Sequence, residues 1–439
     1  MMPTPVMADT PPVELSVSEK VFGLSAIWME VRRNFPFRER LKNLDADYLH
    51  AIDAVSTAPD LKSYYRELQI FLARLQDGHT FIQLPKGMYM TKSRPSMGVT
   101  RIGRDAVVTW VRSDLATTIP LGSLVQKVGD EPYQVAASRA GATVVASSAH
   151  VREDKQYFLA MEGERGSVVT LEIVTPQSET RTVSLVRGEK WPDGATALTL
   201  AHEAEGAEGA VSFKWLEGKR VAYIAITSFA NNAIYEKFRS HLTALKSAKT
   251  VIVDLRGNSG GDDAVGYKIL SHFLQRSGKG NAAHKFAYDP ERAAAENHSD
   301  GAFLTAGVNR GMKQVTMPPD MIKPAPVGLR IKGKLIILTD HETVSAAEDF
   351  LVAASTIKHT RIGGRTAGST GQAVVVRLPG GGAARILTKR DTFPTGREFV
   401  GVGIPADIEI EPTVEDVRGG RDVVIERTLE MIRQWKNSD

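Results

Sequence analysis

A hydroxyl, an imidazole and a run of glycines are the groups from which nucleophilic acyl chemistry can be built. This chain sets each of them in a distinct local pattern. Ser345 lies in KLIILTDHETVSAAEDF (334–350), where an apolar run at 335–338 reads as a buried strand. Thr343 and Ser345 can cap a helix that opens on Ala346, Ala347 and Glu348. A serine between a buried strand and a helix projects its hydroxyl from the sheet end. There it meets the free N–H groups and positive dipole end of the helix. The same position suits a plain N-cap, and this stretch alone leaves both readings open.

The loop DLRGNSGG (254–261) also follows an apolar strand, at 250–255, and precedes a helix at about 264–274. Its spacing fits neither dinucleotide-binding nor P-loop glycines. Consecutive glycines either turn the backbone tightly or leave N–H groups facing a substrate oxygen. His79, in Asp77 Gly78 His79 Thr80, stands just past a predicted helix end, with Gly78 expected as the left-handed residue. A lone histidine is usually structural; it can act as a base only if the fold carries it to Ser345. No HExxH spacing exists, His202 and Glu203 sit in a polar connection, and GxSxG is absent, so metalloprotease and α/β-hydrolase chemistry lack support.

These groups need a scaffold. At 439 residues the chain exceeds one compact core, and two or three domains are expected. With 42% hydrophobic and 24% charged residues the composition is that of a globular protein. A net charge of +4 from 55 basic and 51 acidic residues, with no basic block, argues against a nucleic-acid partner. Zero cysteines excludes disulfides, thiolate metal sites and a cysteine nucleophile. The first residues, MMPTPVMADTPPVELS, lack an apolar signal-peptide core, and no run is long enough to span a membrane.

Helical spacing dominates 14–76. Short strands are predicted at 97–101, 106–111, 124–128, 168–174 and 182–186, with a helix at 136–149. Residues 188–215 read as connection. Beyond them, strands at 221–226 and 250–255 alternate with helices at 232–248 and 264–274. After a polar loop at about 279–325 comes the Ser345 unit. Strands at 360–362, 373–378 and 384–388, an extended run at 404–410 and a helix at 422–435 complete the chain. Alternation of this kind predicts an α/β core around a largely parallel sheet.

The combination of DLRGNSGG, TVSAAEDF and GGRTAGSTGQ, with LARLQDGHT upstream and GVGIPADIEIEPT downstream, resembles the tail-specific (C-terminal processing) and tricorn-type serine proteases. The resemblance runs over nearly the whole chain. It implies a crotonase-like (ClpP/crotonase-type) α/β catalytic core with an N-terminal helical segment and an inserted PDZ-like β-rich module. The corresponding domains are 14–90, carrying the DGHT element, 96–190 and 210–439. In the tail-specific branch a lysine within a TFGKG-like turn is the base. Here Ser369, in Thr366 Ala367 Gly368 Ser369 Thr370, takes that lysine's place, and Lys358 is the one lysine between Ser345 and Leu387. The DGHT element is intact, so the chain is closer to the histidine branch.

The resemblance thus implies Ser345 as nucleophile, His79 as base, and oxyanion donors among Gly260, Gly261 and Ala346. For the orienting acid it points to the neighbourhood of Val400. Glu398, two residues earlier on the same face of an extended strand, is the first choice, and Glu348 the alternative. It further implies a serine endopeptidase acting on protein or peptide substrates in the bacterial periplasm or outside the cell, with a cytoplasmic location as the alternative. No metal or organic cofactor is implied. SMGVTRIGRDAVVTWV and GSLVQKVGDEPYQVA resemble the peptide-binding segments of PDZ-like domains, although Met97 Gly98 Val99 is a poor carboxylate loop. A non-catalytic peptide- or hydrophobic-ligand-binding protein on the same fold, and an acyl-thioester enzyme of crotonase type, are the competing readings. Contact between Ser345 and His79 separates them.

Overall fold

Two strands, Val221–Ile226 and Thr250–Asp254, are buried at every residue, as expected of the middle of a parallel sheet covered on both faces. A computed structural model describes residues 14–199, 209–288 and 312–436. His202, Glu203, the first thirteen residues and residues 289–311 of the polar loop expected at 279–325 lie outside the described residues. The rest of that loop includes the strands Ala282–Tyr288 and Met312–Met317.

The central sheet has six strands in the order Val211–Leu216, Val221–Ile226, Thr250–Asp254, Lys334–Thr339, Thr360–Gly363 and Ile408–Glu409. Its first pair is antiparallel and the others are parallel. One face carries the helices Asp263–Ser271 and Ala346–Ala354; Val423–Lys436 covers the other, with Val424 and Ile432 packed on Ile252, Ile336 and Ile362. The chain leaves the adjacent parallel strands Thr250–Asp254 and Lys334–Thr339 at the same edge of the sheet. The glycine loop and the Ser345 turn therefore lie side by side, where open α/β sheets place ligands.

The N-terminal segment is helical, as expected. Helix Val17–Asn34 starts with a capping box between Ser16 and Glu19 and stops before Pro36. Asp60 caps Leu61–Ala73 by accepting from the Ser63 N–H at 2.7 Å. Leu24, Ile27, Val31, Tyr64, Leu68 and Leu72 are buried in the same apolar cluster as Val253, Ile337 and Phe350 of the α/β core. After the third helix the left-handed residue is Gln76, at φ 52°, and not the expected Gly78. Phe81–Gln83 then joins a small sheet with Ala383–Leu387 and Ala373–Arg377, pairing Phe81 with Arg385. This pairing ties the histidine turn to the segment that follows Ser369.

The β-rich middle unit has its own core. Val108, Leu171, Ile173 and Tyr133 cluster with one another and not with the α/β core. Its sheet orders Ala197–Thr199, Asp105–Arg112, Leu124–Val128, Val168–Val174 and Thr180–Val186, with Met97–Ile102 paired to Asp105–Arg112.

Several local expectations differ. The helix expected at 136–149 is replaced by Tyr133–Ala140 and Ala149–Leu159, because 141–148 forms a crossing that meets the rest of the molecule. Val211–Leu216, read as connection, is a strand whose polar residues sit at the half-buried sheet edge. The helix at 232–248 breaks at His241, whose ring stacks on Phe213 with centroids 4.8 Å apart. Only Ile408–Glu409 of the run 404–410 pairs as a strand.

Candidate active site

Ser345 occupies the cap position of Ala346–Ala354, but its side chain makes no capping bond. Its backbone, at φ 60° and ψ −126°, is in a region that a residue with a Cβ rarely adopts. Such a conformation costs on the order of 1–3 kcal/mol and persists only when its surroundings enforce it. Here they do. The Ser345 N–H donates to the Ser369 carbonyl at 2.9 Å, and the Val344 N–H donates to the Asn258 carbonyl at 3.0 Å. Buried Thr343 donates its hydroxyl to the Leu255 carbonyl at 2.9 Å, and Asp340 accepts the N–H groups of Gly257 and Thr343.

The glycine loop is fixed from the other side. Arg256 bridges Asp254 and Asp422 at 2.7 and 2.8 Å. Asn258 donates to the Ile226 carbonyl at 2.7 Å and accepts the Gly260 N–H at 2.9 Å. Gly260 has φ +83°, and a Cβ there would stand 2.7 Å from the Ser345 Cβ. Only glycine allows this approach. Because its N–H is committed to Asn258, Gly260 is the weakest of the three predicted oxyanion donors. The N–H groups of Gly261 and Ala346 make no hydrogen bond among the described residues. As the first residue of its helix, Ala346 has an N–H with no intrahelical partner.

His79 reaches Ser345 across 266 residues of chain. Its Nε2 stands 3.3 Å from Ser345 Oγ, and its Nδ1 stands 3.0 Å from Ser369 Oγ. The geometry suits the tautomer with the proton on Nδ1, which donates to Ser369 and leaves Nε2 to accept from Ser345. Asp77 steadies the turn, accepting the His79 backbone N–H at 3.0 Å and the Ser147 hydroxyl at 3.3 Å. Burial lowers the His79 pKa from its ordinary 6.5, against the opposing pull of Asp77 and Asp391, so the imidazole is neutral at pH 7.

Neither predicted orienting acid touches the imidazole. Glu398 is 53% exposed and pairs with Arg390 at 2.6 Å. It follows a hairpin in which residue 398 bridges Thr392, and this directs the side chain to the surface pair. Glu348 is fully buried beneath the turn. It accepts from the Thr366 hydroxyl at 2.5 Å, the Gly368 N–H at 2.8 Å and the Ser369 N–H at 2.7 Å. Burial pushes its carboxyl up to about 7, and these three donors restrain the rise. Glu348 holds Ser369, and Ser369 meets the ring.

The partner of Nδ1 is thus a residue that sequence reasoning located, in the lysine's place, without giving it a task. Gly78 makes room for it, since a Cβ there would lie 2.6 Å from Ser369 Oγ. Segment 147–150 of the middle unit went unnoticed because its role is set by tertiary contact. The Gly78 N–H donates to the Ser147 hydroxyl at 2.9 Å, and the Ser148 hydroxyl donates to the Ala367 carbonyl at 2.8 Å. His150 Nε2 lies 2.9 Å from the Thr366 carbonyl. Lys358 is exposed beyond the Ser345 helix. Among the described residues no group of three or more His, Asp or Glu could hold a metal ion, and no helix is long and apolar enough to cross a membrane.

Residues 220–410 match the sequence model of peptidase family S41. No curated protein matches the chain. Among solved structures, mature CPAF complexed with lactacystin aligns with a TM-score of 0.77 at 15% identity, covering 96% of this chain and 99% of that one. Another structure of mature CPAF aligns at 0.75, also at 15% identity, covering 96% and 98%. At this identity the alignments establish a common fold, with the helical segment, middle unit and α/β core all included. The family match spans both the glycine loop and the Ser345 turn. Over residues 220–410 the chain is similar to peptidase family S41, and it is a serine-type peptidase.

Proposed function

We propose that the protein is an endopeptidase that cleaves peptide bonds through an acyl-enzyme on Ser345, with His79 as general base. The observation that carries this reading is the 3.3 Å separation of His79 Nε2 and Ser345 Oγ. As Oγ attacks the scissile carbonyl carbon, its proton passes to Nε2. The oxyanion is held by the N–H groups of Gly261 and Ala346. Collapse of the tetrahedral intermediate expels the amine, which takes the proton from Nε2. A water then gives its proton to His79 and attacks the acyl carbon, releasing the carboxylic acid and restoring Ser345.

The strained Ser345 backbone and the depressed His79 pKa both support this reading, since a base must be unprotonated at the working pH. A ligand-binding protein has no use for either. The intact DGHT turn and the absence of a lysine at position 369 support the histidine branch of the family. By the same resemblance, 14–90, 96–190 and 210–439 act as helical, PDZ-like and catalytic domains, and the protein works in the periplasm or outside the cell.

The test is labelling by a fluorophosphonate probe. The parent labels at Ser345, and Ser345→Ala and His79→Ala lose the signal while keeping their thermal transitions. Because mature CPAF forms a complex with lactacystin, the same compound should protect the parent from labelling. A folded parent that neither labels nor binds lactacystin would overturn the proposal.

A further inference from the structure

We infer that the Ser369 hydroxyl is the positioning group for His79, doing with a neutral oxygen what an acid does in a Ser–His–acid triad. This rests on the catalytic pair proposed above. Nδ1 of His79 lies 3.0 Å from Ser369 Oγ, and no carboxylate makes a hydrogen bond to the ring among the described residues. The other nearby acids are occupied elsewhere, and Asp391, whose two carboxylate oxygens have no hydrogen-bond partner among the described residues, acts on the ring by charge and not by a bond. Asp77 accepts a backbone N–H and the Ser147 hydroxyl, and Glu398 pairs with Arg390. Asp391 stands 3.0 Å from the Lys389 ammonium, and Asp349 accepts from Thr370 at 3.0 Å and from Asn281. Glu348 acts one step back, accepting the Ser369 and Gly368 N–H groups.

The arrangement is built. Ser369 is 6% exposed, and its backbone is bonded from both sides, the N–H to Glu348 and the carbonyl to the Ser345 N–H. A hydroxyl that accepts from Nδ1–H fixes the tautomer that leaves Nε2 unprotonated toward Ser345. When the imidazolium forms, the same oxygen accepts a charge-assisted bond and stabilises it. One residue thus orients both the base and, through its carbonyl, the nucleophile's backbone.

The experiment compares Ser369→Ala and Ser369→Thr with the parent, using peptide hydrolysis across pH and the proton resonance of His79 Nδ1–H in histidine-labelled full-length protein. Ser369→Ala should lower kcat by roughly 10- to 100-fold, the range of one hydrogen bond to a charged group, with KM nearly unchanged. The imidazolium loses an acceptor, so the acid limb of kcat/KM should move to lower pH. The hydrogen-bonded Nδ1–H resonance should broaden or vanish in Ser369→Ala and persist in Ser369→Thr. Full activity of Ser369→Ala with an unmoved acid limb overturns the inference, even if Ser345→Ala and His79→Ala are inactive and the peptidase reading stands. If the parent proves inactive, the resonance decides alone: an Nδ1–H signal unchanged by Ser369→Ala overturns it.

Discussion

The helical segment and the β-rich unit both reach the active site, but they are joined to the α/β core by different physics. The helical segment shares a continuous apolar cluster with the core and supplies His79. The β-rich unit packs around its own cluster. It meets the other parts through the bonds of 147–150, the Asp154–His341 contact at 2.8 Å, the Lys62–Glu164 ion pair at 2.7 Å, the bond from Arg418 to the Gly122 carbonyl at 3.1 Å, and a small apolar patch joining Val107 to Val417. Apolar burial resists sliding because every displacement opens a cavity, whereas a few hydrogen bonds can exchange with water at modest cost. His79 is therefore fixed to Ser345, and the middle unit is braced against both.

The largest test of this contrast is a pair of core truncations. Leu68→Ala should cost about 2–5 kcal/mol and lower the transition in which the catalytic core unfolds. Leu171→Ala should cost a similar amount but lower a separate transition belonging to the β-rich unit. Calorimetry showing one shared transition for both would erase the distinction. Next comes Gly260→Ala, whose Cβ would meet Ser345 and whose φ of +83° is strained for alanine. A cost of about 1–3 kcal/mol in stability is expected, together with a fall in probe labelling that exceeds any loss of folded protein. A smaller effect is expected for Ser148→Ala, about 0.5–1.5 kcal/mol in the unfolding midpoint.

The pH dependence sharpens the comparison. Burial holds His79 and His150 below the ordinary 6.5. As pH falls below 6.5 the unfolded chain takes up protons that the folded chain refuses, so these two lower stability toward acid. His341 has the opposite sign. Burial is the largest single influence and lowers its pKa, but the bond to Asp154 and the charges of Asp154, Glu411 and Asp340 together raise it by more. Its contribution is complete below 6.5 and is lost as pH rises through its folded value. Asp154→Asn should therefore cost at most about 1 kcal/mol, measurable by denaturant titration below pH 6 and fading above neutrality.

Much of this was readable in the sequence because the signals were local. The apolar runs of 221–226 and 250–255 can only be buried strands, and the loops after them announce their edge of the sheet. Ser345 and His79, which the structure brings within 3.3 Å of each other, stood out through their flanking turns. Glu398 was not legible, because two residues of alternation on an extended strand say nothing about a hairpin that carries the side chain to Arg390. Ser369 was hidden for another reason. A hydroxyl has no charge to mark it, and its task depends on a glycine 291 positions upstream leaving a gap of one methyl group.

The distance along the chain between the proposed base and the proposed nucleophile has a consequence for synthesis. His79 emerges from the ribosome 266 residues before Ser345, and the hydroxyl that orients it follows the histidine by 290. A growing chain therefore holds an imidazole without a nucleophile for most of its translation. The small sheet that joins the two cannot form until residues 373–387 have been made. The contact between His79 and Ser345 can thus be secured only late in synthesis, after most of the chain has been made.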